Sequence, residues 1–167
     1  PDGSNEFMAS LADAVTRHEK VAIFGDYDVD GAASSALMKR FLAHYGVEAE
    51  VYIPDRIFEG YGPSPEAMRD LAARGASLIV TVDCGTNSAT AIDAANEAGA
   101  QVVVLDHHQV GGALPDAVAV VNPNREDDLS GQGHLCAAGV TFVALVRTAS
   151  LLRERGVAAA PPDLLGL

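Results

Sequence analysis

Short apolar runs alternate with stretches of helical periodicity along the chain. Leu11, Ala14 and Val15 recur at helical spacing within Ala9 to Glu19, and Val21-Ala22-Ile23-Phe24 then reads as a buried strand. From Ala32 to Tyr45, small and helix-favouring residues carry Leu37, Phe41 and Leu42 on one stripe, which Gly46 stops. The same reading predicts a strand from Ala49 to Ile53, a helix from Pro65 to Arg74, a strand from Leu78 to Val82, a helix from Asn87 to Ala98 and a strand from Gln101 to Leu105. A further strand from Ala117 to Val121, a polar loop from Asn122 to Gly133 and a long helix from Ala137 to Arg155 follow. Alternation at this spacing predicts an α/β fold: a doubly wound, mostly parallel sheet with helices on both faces.

The two ends break the pattern. Pro1 to Phe7 carries no evident period and Met8 follows it like a start, so residues 1–8 read as a cloning remnant and residues 9–167 as the domain. Pro161-Pro162-Asp163-Leu164-Leu165-Gly166-Leu167 opens an apolar run that nothing completes, and the expectation is a piece excised from a longer protein.

At 167 residues, with 49% hydrophobic and 20% charged, the chain is sized for one domain with a sizeable core and is too apolar for disorder. It has no apolar run near the roughly 20 residues of a membrane span, so a soluble, cytoplasmic setting is expected. Eleven Lys and Arg against 23 Asp and Glu leave a formal charge of -12, which repels a polyanion over most of the surface. Nucleic acid could approach only through a metal-bearing site or through basic surface outside this chain. Cys84 and Cys136 are too few, and too embedded in apolar sequence, for a disulfide scaffold or a thiolate zinc site, and both are expected reduced.

Three predicted strands end in acid or imidazole groups. Val21 to Phe24 runs into Asp26-Tyr27-Asp28-Val29-Asp30-Gly31, Leu78 to Val82 into Asp83-Cys84-Gly85, and Gln101 to Leu105 into Asp106-His107-His108. In an open parallel sheet these carboxyl ends share the ligand-binding edge. An Asp-rich turn alone often only caps a helix, but three at equivalent strand ends bring like charges together, and divalent cations resolve that conflict. Carboxylates with one or two imidazoles suit Mn²⁺ or Mg²⁺ better than zinc, and two ions bridged by one carboxylate make a hydrolytic site for phosphoryl chemistry. Gly31 lets the backbone turn tightly into a helix whose first amides could receive a phosphate. His107 and His108 are expected to diverge, one as ligand and one as substrate contact. Cys84 lacks a His-Asn partner set and reads as packing rather than a nucleophile. Arg56 reads either as a surface ion pair with Glu59 or as a phosphate clamp, and the Asn122 loop and His134 carry weaker signals of the same type.

Gly25-Asp26-Tyr27-Asp28-Val29-Asp30-Gly31, Val82-Asp83-Cys84-Gly85 and Leu105-Asp106-His107-His108 resemble the first three motifs of the DHH phosphoesterase superfamily. Tyr52-Ile53-Pro54-Asp55-Arg56 with Glu59-Gly60-Tyr61-Gly62, Val121-Asn122-Pro123-Asn124 and Leu135-Cys136-Ala137-Ala138-Gly139-Val140 resemble its RecJ branch, the single-strand-specific DNA exonucleases. The resemblance implies that Asp28 and Asp30 each hold one metal ion, that Asp83 bridges both, and that His107 binds a metal. It further implies that His108 meets the scissile phosphate while Asp26 and Asp106 buttress the loops; the residues themselves, apart from the resemblance, offer Arg56, Asn122 and His134 as substrate contacts. Two ions, Mn²⁺ or Mg²⁺, would support 5′-to-3′ release of mononucleotides from single-stranded DNA, with most DNA contacts outside this chain, no membrane, and DNA-repair proteins as partners.

Departures from the pattern qualify these expectations. The fourth motif, which carries another metal-binding Asp, does not occur before Leu167, and neither does the second lobe. Phe24 stands where the superfamily's pyrophosphatases place a metal-binding histidine, against that branch. The alternatives are a phosphodiesterase acting on oligoribonucleotides or cyclic dinucleotides, and a non-catalytic scaffold domain.

Overall fold

The computed structural model describes residues 3–55, 57–58, 60–157, 160 and 162–163. Strands β1 (Val21–Gly25), β2 (Ala49–Tyr52), β3 (Leu78–Val82), β4 (Gln101–Leu105) and β5 (Ala119–Val121) form one all-parallel sheet in the order β2-β1-β3-β4-β5. Helices α1 (Ser4–Thr16), α2 (Val29–His44), α3 (Pro65–Ala73), α4 (Ala89–Glu97) and α5 (Ala137–Glu154) cover it.

Successive strand residues point to opposite faces and feed two cores. Val21, Ile23, Val80, Val82, Val103 and Leu105 pack with Phe7 and Leu11 of α1, Phe41 and Leu42 of α2, and Leu145 of α5. Ala22, Phe24, Ile79, Val102 and Val104 pack with Met68 and Leu71 of α3 and with Ile92 and Ala95 of α4. Because both faces are covered, the central strands read as unbroken apolar runs rather than alternating ones.

The chain leaves β1 for the edge strand β2, then returns to β3 on the other side of β1. That reversal opens a crevice between the carboxyl ends of β1 and β3, where sheets of this type bind ligands. Ser64 starts α3 by accepting the Ala67 amide at 3.2 Å, with Pro65 in the first helical position.

Three helix starts differ from expectation: α4 begins two residues late, at Ala89, and α1 and α2 begin early. Residues 4–8, left out of the predicted domain, pack within the fold: α1 begins at Ser4, and Phe7 is fully buried. Phe7, Leu11, Ala14 and Val15 form one continuous stripe whose first member a polar opening conceals. Helix α2 begins at Val29, three residues before the predicted start, because Asp28 caps it by accepting the Gly31 amide at 2.9 Å. At the end of the sheet, β5 is shorter than predicted, starting at Ala119. Among the described residues no helix is long and apolar enough to cross a membrane.

Candidate metal centre

The site is built from the strand ends flanking the crevice. At the end of β1, Asp26 is buried and its Oδ1 accepts the Tyr27 amide at 2.8 Å. Asp28, exposed at the start of α2, accepts the Gly31 amide, the leading cause that holds its carboxyl below the usual range; burial opposes this. The Gly31 amide is therefore taken by the chain's own carboxylate and is not one of the free amides expected at this turn. Gly31 has a different necessity: a Cβ there would stand 2.5 Å from the Asp26 carbonyl oxygen.

At the end of β3, Asp83 is 1% exposed and adopts φ 62°, the left-handed region that a non-glycine residue enters at a cost. Its amide is fixed by the Leu105 carbonyl at 2.9 Å. Burial, followed by the charges of Asp30 and Asp28, pushes its carboxyl up to about 8. Carboxylate oxygens of Asp26, Asp28 and Asp83 lie within 4.8 Å of one another, so Asp26, expected only as a buttress, belongs to the acidic cluster itself.

At the end of β4, Asp106 is buried beneath the histidines. Its Oδ1 accepts the amides of His107 (2.8 Å) and His108 (3.2 Å) and stands 2.7 Å from His108 Nδ1; its Oδ2 accepts the Thr86 amide at 3.0 Å. Burial works to raise this carboxyl, but the donors outweigh it and its pKa falls below the ordinary value. His107 Nε2 reaches 3.2 Å from Asp83 Oδ1 and 3.5 Å from Asp30 Oδ2. The two imidazoles do not diverge as expected: their centroids are 4.7 Å apart at 63°, and both offer a nitrogen to a cluster with Asp83.

Other expected residues take different places. Both oxygens of Asp30 accept amides at the start of α5, from Ala137 at 2.7 Å and Ala138 at 2.8 Å, so this carboxylate anchors that helix to the site. Asn122 is fully buried; its Nδ2 donates to Thr86 Oγ1 at 3.0 Å and to the His108 carbonyl at 2.9 Å, and its Oδ1 accepts the Asn124 amide. A side chain so enclosed supports the histidine loop from beneath, which corrects its reading as a substrate contact. His134 is exposed in the loop before α5. Arg56 and its proposed partner Glu59 lie outside the described residues. Both cysteines are free, but only Cys84 is buried; Cys136 is exposed ahead of α5. Burial raises the Cys84 thiol well above its ordinary pKa, which disfavours a thiolate nucleophile.

Sequence reasoning missed Tyr61, whose hydroxyl donates to the Asp83 carbonyl at 3.1 Å. Its signal was present in the flanking Gly60 and Gly62, which both adopt positive φ and set its direction.

The donor set fits a divalent cation. Asp83 Oδ1 is buried without a hydrogen-bond partner among the described residues, although an imidazole nitrogen stands nearby. A buried carboxylate oxygen left in this state is the group a cation satisfies, and the carboxylate-imidazole chemistry is that of Mn²⁺ or Mg²⁺.

Comparison with known proteins agrees with this geometry. The DHH family, N-terminal domain, matches residues 20–165. The chain belongs to the DHH family. It is 40% identical over 155 residues to the single-stranded-DNA-specific exonuclease RecJ of Dickeya dadantii, covering 92% of this chain and 27% of that protein. Over 140 residues it is 39% identical to the RecJ of Bacillus subtilis, covering 84% of this chain and 18% of the relative. A crystal structure of exonuclease RecJ bound to manganese aligns with TM-score 0.81 and 34% identity, covering 98% of this chain and 41% of that one. This DHH chain thus spans less than half the length of each of these RecJ proteins.

Proposed function

We propose that this DHH domain is the metal-binding part of a single-stranded-DNA exonuclease that releases 5′-mononucleotides from the 5′ end. The observation that carries this reading is the convergence of Asp26, Asp28, Asp83 and His107 on one crevice, with a buried Asp83 oxygen lacking a hydrogen-bond partner among the described residues. Asp28, Asp83 and His107 would hold two ions, Mn²⁺ or Mg²⁺, with Asp30 joining them through the lone pairs that its two α5 amide contacts leave. Such ions, when bound, polarise a phosphoryl oxygen and supply a nucleophile at neutral pH.

The chain's own residues prepare the site. Asp106 fixes His107 and His108 through two amides and holds His108 Nδ1, so Nε2 is the ring atom of His108 left to meet a phosphate oxygen. Asn122 and Thr86 brace that loop from below. Arg56 and His134 are proposed substrate contacts at the rim. Single-stranded DNA would be gripped mostly by regions outside this chain, and DNA-repair proteins are proposed partners.

The test joins this domain to the remainder that its relatives carry and supplies a 5′-phosphorylated single-stranded oligonucleotide with Mn²⁺. Stepwise release of mononucleotides is expected, with Asp83→Ala lowering the rate by about 10³-fold or more and Cys84→Ala leaving it within a few-fold. Equal rates for the two variants would refute the assignment. Turnover of cyclic dinucleotides or oligoribonucleotides alone would redirect it.

A further inference from the structure

We propose that Tyr61 is a positioning residue of the metal centre: its hydroxyl ties the strained Asp83 peptide to the segment linking β2 and α3 and rests over the face of the His108 ring. The proposal rests on the metal-centre reading above and adds the group that holds the Asp83 carboxylate in place.

Gly60 and Gly62 adopt φ 81° and 76°, yet a Cβ at Gly60 would meet nothing within 4 Å and one at Gly62 only Ser88 Oγ at 3.6 Å. Space does not require glycine here; backbone direction does. The two left-handed residues turn the Tyr61 ring toward the crevice.

The Tyr61 oxygen lies 3.2 Å from His108 Nδ1 and 3.4 Å from Nε2. An in-plane hydrogen bond to one ring nitrogen would leave the other much farther away, so nearly equal distances place the oxygen over the ring face. The rings meet edge to face, with centroids 5.6 Å apart at 69°. With His108 Nδ1 engaged by Asp106 at 2.7 Å, the Tyr61 proton belongs to the Asp83 carbonyl.

Asp83 is thereby held on both sides. Leu105 accepts its amide and Tyr61 donates to its carbonyl, the two contacts that stabilise a left-handed backbone at a non-glycine residue. That backbone sets where the Asp83 carboxylate points. Loss of the hydroxyl lets the peptide relax and shifts the carboxylate, while the rest of the ring stays in place.

The test is Tyr61→Phe. Isothermal titration of this chain with Mn²⁺ is expected to show affinity weakened about 10-fold, as when a group supporting a ligand is removed. The NMR signals of the His108 ring are expected to shift, while the melting temperature of the metal-free chain stays within about 2 °C, less than the effect of 1 kcal/mol. In a protein that also carries the remainder of its relatives, kcat should fall with KM for single-stranded DNA nearly unchanged. Unaltered Mn²⁺ affinity together with unaltered His108 signals overturns the proposal. If the unsubstituted chain takes up no Mn²⁺, the metal reading fails and the proposal falls with it, a failure read from the unsubstituted chain and so distinct from an unaltered Tyr61→Phe.

Discussion

Asp83 is where folding and chemistry oppose each other. A fully enclosed carboxyl with two acidic neighbours is most stable protonated, yet only the deprotonated form can hold a cation. Folding raises its pKa from the ordinary 3.8 to about 8. Across that window the folded chain keeps a proton that the unfolded chain releases, so the metal-free chain loses stability as pH rises from about 4 to 8. Asp83→Asn keeps the shape and removes the charge. At pH 7.5, with about 1.4 kcal/mol of stability lost per pH unit across the window, it should raise the melting temperature of the metal-free chain by about 5 °C or more, flatten the pH dependence and abolish stabilisation by Mn²⁺. A variant that melts lower than the unsubstituted chain from pH 6 to 8 would contradict this account of the site. At this scale the convergence of Asp28, Asp83 and His107 on one sheet edge was legible, because the carboxyl ends of neighbouring parallel strands share that edge. Asn122 and Tyr61 were not legible, since a polar residue in a loop reads the same whether it faces water or is enclosed. Only the tertiary packing that buries Asn122 and brings Tyr61 to Asp83 separates the two cases.

Among the elements, α2 does most to set the geometry, and its first turn leaves no room beside Asp26. Gly31→Ala would place a Cβ 2.5 Å from the Asp26 carbonyl oxygen, so either the turn or the β1 loop must move. The expected cost is about 1–3 kcal/mol in chemical denaturation, together with weakened Mn²⁺ binding because Asp26 and Asp28 move with the turn. Gly46→Ala is the contrast: φ is 75° but nothing lies within 4 Å, so about 1–2 kcal/mol is lost with Mn²⁺ affinity intact. Equal effects of both substitutions on Mn²⁺ affinity would show that the close approach at Gly31 is unimportant. Helix α1 makes a separate prediction, since Phe7 is fully buried among α1, α5 and the sheet. Phe7→Ala should cost about 3–5 kcal/mol, whereas an unchanged denaturation midpoint would mean that these residues lie outside the cooperative fold. The strands were legible because short, unbroken apolar runs between turns are too brief for a buried helix and too apolar for a loop. The start of α2 was hidden by Val29, Asp30 and Gly31, poor helix formers that become helical through the Asp28 cap, and the start of α1 by the polar residues around Phe7.

For the whole molecule, the formal charge of -12 governs how any polyanion is met. Five of the eleven basic residues are further committed to neighbours: Arg17 pairs with Glu19, Arg74 with Glu50 and Asp70, Arg125 with Asp127 and Arg155 with Asp13, while Lys20 donates to the Arg74 carbonyl. Grip on nucleic acid by release of condensed counterions requires several cations facing consecutive phosphates, and such a surface is not what these pairings provide. On the nuclease reading, this chain therefore holds one or two phosphates at its metal centre and little more. Fluorescence anisotropy of a 5′-phosphorylated single-stranded oligonucleotide should give weak binding in Mn²⁺, none after chelation, and a log-log salt slope no steeper than about -1.4. Joining the remainder that its relatives carry should steepen the slope, because the additional cations must come from there. A slope of about -4 or steeper from this chain alone would mean that its few basic side chains form a binding track, and the division of labour between a metal centre here and a basic grip elsewhere would then be wrong.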